Sequence, residues 1–168
     1  MTEEEKKYIS SIASSYPDSF IDTAEFRDDL TLLLKKKDVF EIMKFLKESE
    51  ETAFDFLVDI TAVDCFKIGG DERFAAIYHL HSHTYYHRLR VKVWVPEDDM
   101  NVPTMLPLWK SADWMEREVA ELFGINFEGH PDLRKLLLPE DFQGHPLRKD
   151  FPVQGQGYRS NFPDLRNV

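Results

Sequence analysis

The sequence predicts an α/β domain of the α+β type: two layers, with a mixed, largely antiparallel sheet flanked by helices, followed by an extended C-terminal arm. Three observations carry this. Amphipathic helical stretches, two of them opening on acidic cap residues, flank a run of three strand-like segments. One of those segments, RLRVKVWV, alternates strictly between apolar and polar, as a half-exposed strand does. From Gly129 onward the periodicity stops, while Gly, Pro and charge continue. The expected division is a domain over residues 1–128 and an arm over 129–168.

Taken in order, Tyr8, Ile9, Ile12 and Tyr16 recur at helical spacing, and Pro17 disfavours helical geometry at the residue before it. LTLLLKKK reads as a compact strand. Asp38 with Glu41 forms a capping-box pattern that opens DVFEIMKFLKES, whose Val39, Ile42, Met43 and Leu46 share one face. FDFLVDITAV is the first of three successive strands. IGGD supplies turn chemistry and leads into RFAAIYHLHSH, and a brief loop precedes HRLRVKVWVPE. There Leu89, Val91, Val93 and Val95 alternate with Arg88, Arg90, Lys92 and Trp94. That basic face reads either as solvated edge charge that deters strand pairing or as a docking surface.

A proline-containing loop then leads to a second capping-box pattern, Asp113 with Glu116, opening WMEREVAELFG, with Gly124 as the left-handed stop. Met115, Val119, Leu122 and Phe123 share a face, and Arg117 and Glu121 are spaced to pair at i, i+4. Glu118 falls at the apolar edge. Its carboxylate either bends toward water or is held by a cation from elsewhere.

The arm begins GHPDLRKLLLPEDFQGHPLRKD and writes Gly-His-Pro twice. Each Gly offers an unusual backbone angle and each Pro fixes the exit, leaving His130, Arg134, Lys135, His145, Arg148, Lys149 and Asp150, together with Glu118, as expected contact-makers toward a partner. The closing FPVQGQGYRSNFPDLRNV spaces Phe151, Tyr158, Phe162 and Leu165 as apolar anchors. Prolines 131, 146, 152 and 163 limit the entropy lost when such a segment lies on another protein.

Composition excludes several classes. The net charge of −10 argues against nucleic-acid binding; residues 1–128 carry 15 Lys+Arg against 26 Asp+Glu, residues 129–168 carry 6 against 5. The single Cys65, in an apolar run, excludes an intramolecular disulfide and any all-cysteine cluster made by this chain, and reads as a small buried hydrophobe. No run approaches the roughly 20 apolar residues of a membrane span, and no signal-peptide pattern opens the chain, so it is expected to stay in the cytosol or dock on something held in a membrane. His79, His81 and His83 at i, i+2, i+4, with His87 beyond, offer imidazoles for zinc, yet the spacing matches no known zinc pattern. His130 with Asp132, or His145 with Asp150, form only isolated acid/base pairs in Pro-containing turns. Nucleophile-elbow, Walker and dinucleotide motifs are absent from the sequence.

EREVAELFGINFEGHPDLRKLL, Glu116 to Leu137, resembles the signature of the 30 kDa, or C-type, subunit family of proton-pumping NADH:quinone oxidoreductase, respiratory complex I. FLVDITAVD, RFAAIYHLHSH, RLRVKVWVPE, PTMLPLWKSADWMERE and GHPLRKDFP resemble the same family in the same order, over about residues 54–155. Ala120 and Glu121 depart from the family's usual aromatic and Asp, and Lys135 from its frequent second Arg. The resemblance implies a non-redox structural subunit of the peripheral arm. In the complex, electrons pass from NADH through flavin and iron-sulfur clusters to quinone, coupled to proton translocation. It implies no cofactor on this chain, partners that are chiefly the D-type and B-type subunits, and a peripheral place on the cytoplasmic side of the cell inner membrane. Energy-converting hydrogenases share the family's fold and stand as the alternative, with a histidine-zinc enzyme behind them.

Overall fold

A computed structural model describes residues 3–27 and 29–156, with side chains described from residue 7 onward. The tail anchors Tyr158, Phe162 and Leu165, and the proline at 163, lie outside the described residues. Element order is α1 (Glu3–Ser15), β1 (Phe20–Phe26), β2 (Asp29–Lys35), α2 (Val39–Glu48), β3 (Phe56–Asp64), β4 (Phe74–His81), β5 (Arg88–Val95), β6 (Asn101–Pro103), α3 (Ala112–Phe123) and β7 (Asn126–Glu128).

Five strands form one mixed sheet in the order β1-β2-β5-β4-β3. Only β2 and β5 run parallel; the other pairs are antiparallel. A parallel pair needs a long connection, and α2, β3 and β4 fill it. β6 and β7 make a short parallel pair beside α3.

The period of two decides which side chains form the core. Leu89, Val91, Val93 and Val95 of β5, Leu32 and Leu34 of β2, and Phe74, Ala76, Tyr78 and Leu80 of β4 are buried together with Ile12 of α1, Ile42, Met43 and Leu46 of α2, and Val119 of α3. The helices join the core on that face. On the other face Arg90, Lys92, Ile77 and His79 are half-buried.

The structure corrects several local expectations. β5 is the central strand, not an edge, so its cations do not deter strand pairing. β1 (FIDTAEF), whose pattern is too irregular to read as a strand, forms that edge against β2. Neither capping box forms. Asp38 turns its carboxylate to the buried Ser19 hydroxyl and makes no side-chain cap, and α3 begins at Ala112 behind Ser111. Glu116 is fully buried and accepts from the Thr104 hydroxyl and from the Met105 amide at 2.6 Å. In each case a donor distant in sequence outcompetes the helix's own N–H groups.

Candidate functional site

The family-like motif runs from α3 through β7 into the segment after Gly129, and the structure folds that segment back onto α3. α3 ends at Gly124, whose φ of +79° places it in the left-handed region. A Cβ here would also lie 2.7 Å from the His145 ring and against the Arg148 guanidinium, so glycine is required twice over. That close approach lets the returning chain satisfy carbonyls the helix leaves open at its C-terminus. His145 Nδ1–H donates to the Glu121 carbonyl at 2.9 Å, the Leu147 amide to Leu122 at 3.1 Å, and Arg148 Nε–H to Phe123 at 2.6 Å. Cationic Arg148 also suits the negative end of the helix dipole, and its guanidinium lies 5.1 Å from the Phe74 ring.

A second fastening is a buried carboxylate. Glu121, 6% exposed, accepts the amides of Leu136 and Leu137 at 2.8 Å and of Leu138 at 3.3 Å. Three successive N–H groups converging on one anion form a nest. The expected Arg117–Glu121 pair is not made, because Arg117 donates instead to the Arg134 carbonyl at 3.0 Å.

At the start of the segment, His130 is wholly buried at its side chain. Its Nδ1 accepts from the Asp132 amide at 3.1 Å, leaving Nε2–H to donate to the Asp113 carbonyl at 3.2 Å. At the far end, Asp64 accepts the Lys149 amide at 2.8 Å and pairs with Arg73 at 3.2 Å; Arg73 also reaches Asp150 at 2.8 Å, and Glu97. Burial works against the Asp64 charge, but hydrogen bonds from Arg73 and from the Lys149 and Phe66 amides outweigh it and hold the carboxyl below its ordinary range. Arg73 is held above its ordinary value, first by its hydrogen bond to Asp64. Glu116 moves the other way. Burial pushes it up to about 7, although its Thr104 and Met105 hydrogen bonds favour the ion.

The structure therefore gives most of the residues expected to face a partner an intrachain place. His130, His145 and Arg148 fasten the segment to α3; Lys149, through its backbone, and Asp150 fasten it to the end of the sheet; Lys135 ties the 139–142 turn by donating to the carbonyls of Pro139, Glu140 and Phe142. Glu118 is exposed, and Arg134 is 84% exposed with Asp132 as partner at 2.8 Å. The sequence reads Glu116 as a cap and Glu121 as a partner of Arg117 rather than as buried carboxylates, and gives Asp64 and Arg73 no role. For Asp64 the signal was an acid closing an apolar strand; Glu116 and Glu121 sit on a helix rich in charge, where sequence alone does not say which acids are buried.

The histidines do not converge as a set of three, although the His81 and His83 rings meet edge to face at 5.2 Å. His79 and His81 lie on β4, while His83 lies in the following turn with its ring on Asp55 at 2.9 Å. Among the described residues no group of three or more His, Cys, Asp or Glu is placed to hold a metal ion. Also among them, no helix is long and apolar enough to cross a membrane.

Known proteins agree with this architecture. The sequence pattern of the respiratory-chain NADH dehydrogenase 30 Kd subunit matches residues 32–157. The C-type subunit of NADH-quinone oxidoreductase from Geobacter metallireducens is 42% identical over 155 residues, covering 92% of this chain and 93% of its own. That of Burkholderia thailandensis is 44% identical over 146 residues, covering 83% and 72%. Among solved structures, the trypsin-resistant fragment of Nqo5 superposes with a TM-score of 0.67 at 33% identity, covering 77% of this chain and 99% of that one. A chain of an archaeal membrane-bound sulfane sulfur reductase gives 0.72 at 26% identity, covering 90% and 87%. The name shared by these sequence relatives favours the NADH-linked complex over the energy-converting hydrogenases. The chain belongs to the 30 kDa subunit family of respiratory-chain NADH dehydrogenase, the C-type subunits of NADH-quinone oxidoreductase.

Proposed function

We propose that this subunit is a non-redox brace: it holds neighbouring D-type and B-type subunits in fixed relation on the cytoplasmic side of the membrane, and flavin, clusters and quinone belong to other subunits. The observation that carries this reading is the way the segment after Gly129 is mounted. Its backbone and buried polar groups are spent on α3 and the sheet, while Leu137 (61% exposed), Leu147 (46%) and Val153 (92%) point away from the domain. An irregular segment already seated on its own domain, with apolar side chains outward, has less entropy left for docking to cost.

Trp114 adds an exposed aromatic. It is 62% exposed near the start of α3, with the Arg117 guanidinium 5.9 Å from its ring and Arg134 nearby through the Arg117 hydrogen bond. Tryptophan and arginine dominate binding hot spots. Of the residues singled out by the family motif, Glu118 and Arg134 face outward and are assigned to partner contact.

The test replaces Leu137 and Leu147 by Asp in the chromosomal gene and follows the membrane complex on native gels. The expected result is loss of the large assembly while the purified variant chain unfolds at the wild-type temperature. A full complement of assembled complex would overturn the reading.

A further inference from the structure

The helix-free face of the sheet is absorbed neither by the core nor by the segment that follows α3. Its central strand, β5, carries Arg88, Arg90 and Lys92 in one column at two-residue spacing, within a chain of net charge −10. Register sets their neighbours. Thr61, Ile77, Lys92 and Leu33 form one row across β3, β4, β5 and β2, so the Lys92 stem lies between Ile77 and Leu33, while the next row sets Arg90 between His79 and Thr31, with Asp59 beyond His79. Asp29 stands 3.9 Å from Arg90, whereas among the described residues neither Arg88 nor Lys92 has a carboxylate in ion-pair reach.

The column ends at two cavities. One, of about 280 Å³, is lined by Asp29, Val58, His79, Arg88 and Arg90. The other, of about 240 Å³, is lined by Trp94, Ile21, Lys35, Pro96, Asp71 and Glu72. Trp94 is 7% exposed, Lys92 sits 3.8 Å from its ring, and its indole N–H is buried without an acceptor among the described residues. A buried donor with no acceptor is costly, which an incoming oxygen would relieve.

Resting on the reading that this chain is a subunit of the complex, we propose that this face takes an acidic, amphipathic helix of another subunit, its carboxylates over Arg88, Arg90 and Lys92 and its apolar side on Leu33 and Ile77. Dimensions agree. Arg88 to Lys92 spans about 14 Å of strand, the length of about nine helical residues. Three strands are about 10 Å wide, close to one helix diameter. A helix laid here converts two layers into three, the usual way of covering the second face of a sheet.

The test places a photo-crosslinking amino acid at Thr61, which leaves the cations intact, and irradiates the assembled complex. The expected adduct maps to a helical segment rich in Asp and Glu of another subunit. In parallel, Arg90→Glu/Lys92→Glu should lower the yield of assembled complex by about tenfold or more, as loss of buried interfacial charge pairs does, and basic substitutions in the crosslinked segment should restore it. An adduct to a second copy, to this chain itself or to a segment without acids overturns the proposal, as does no adduct. The same crosslinker at Leu137 separates the two readings: an adduct there with none at Thr61 sinks only this one. If the double variant fails to fold alone, the Thr61 adduct still decides.

Discussion

Glu121→Gln isolates the buried carboxylate that holds the segment after Gly129. The ion accepts three amides, at 2.8, 2.8 and 3.3 Å. A carboxamide offers one oxygen and turns its NH2 toward at least one of those N–H groups. Hydrogen bonds to charged acceptors contribute about 1.5–3 kcal/mol each, and Leu136–Leu138 are only partly buried, so water replaces some of the loss and about 2–4 kcal/mol in total is expected. The loss is local. Residues 134–138 can lift off while the sheet and helices persist, so the change appears as easier opening of this segment before any fall in global stability.

Each 1.4 kcal/mol is a factor of ten, so the open population rises about 30-fold to several hundred-fold. Trypsin reads that population directly, because its sites at Arg134 and Lys135 sit beside the carboxylate's three amides and cleavage follows the open fraction when reclosing is fast. Hydrogen exchange at 136–138 gives the same quantity independently. Unchanged cleavage rate and unchanged exchange, in a variant with a wild-type unfolding transition, would refute the role assigned to Glu121.

Three other outcomes follow from the buried groups. Glu116 has a folded value of about 7 against an ordinary 4.5, so the folded chain holds a proton the unfolded chain has lost; its contribution is present below about 4.5 and falls away by about 3 kcal/mol as pH rises to about 7. Urea unfolding of Glu116→Gln at pH 5 and pH 8 should lack that difference, and an identical pH slope in wild type and variant refutes it. Asp64 has the opposite sign: its lowered folded value gives stability present above its ordinary 3.8 and lost as pH falls through the folded value. Asp64→Asn should remove that acid transition and speed tryptic cleavage after Arg148 and Lys149; equal cleavage contradicts the fastening. Gly124→Ala forces a Cβ into the left-handed region and against His145, and should cost about 1–3 kcal/mol in thermal or urea unfolding; an unchanged transition would show that the helix end can shift.

What the sequence disclosed was periodicity. Leu89 to Val95 gave both the strand and its buried side, since alternation is a property of neighbours along the chain. It gave no neighbour across the sheet, so the central position of β5 stayed hidden and its cations read either as edge charge or as a docking surface. Both capping boxes have the right spacing and fail for a related reason. Asp38 and Glu116 had stronger tertiary donors in Ser19 and in Thr104 with Met105, which no local window contains. The Gly-His-Pro turns were legible as places regular structure stops, but not as caps. That His145 and Arg148 close the open carbonyls of α3 follows only once Gly124 is known to let them within reach.

The way this segment is held bears on where its stability comes from. Fixing the backbone of a residue costs about 1–2 kcal/mol, while a net intramolecular hydrogen bond returns about 1. Between Gly129 and Phe151 the contacts are mainly hydrogen bonds and ion pairs, and Leu137 and Leu147 keep much of their apolar surface in water. On its own, such a segment is close to balance, and its opening free energy lies at the low end of the molecule. Burying those leucines against a neighbour at about 25 cal/mol per Å² would tip the balance without any new contact inside the chain. The effect of Glu121→Gln should therefore be large in the isolated chain and small in the assembled complex, and equal protease sensitivity in the two states would show that the segment draws nothing from its neighbours.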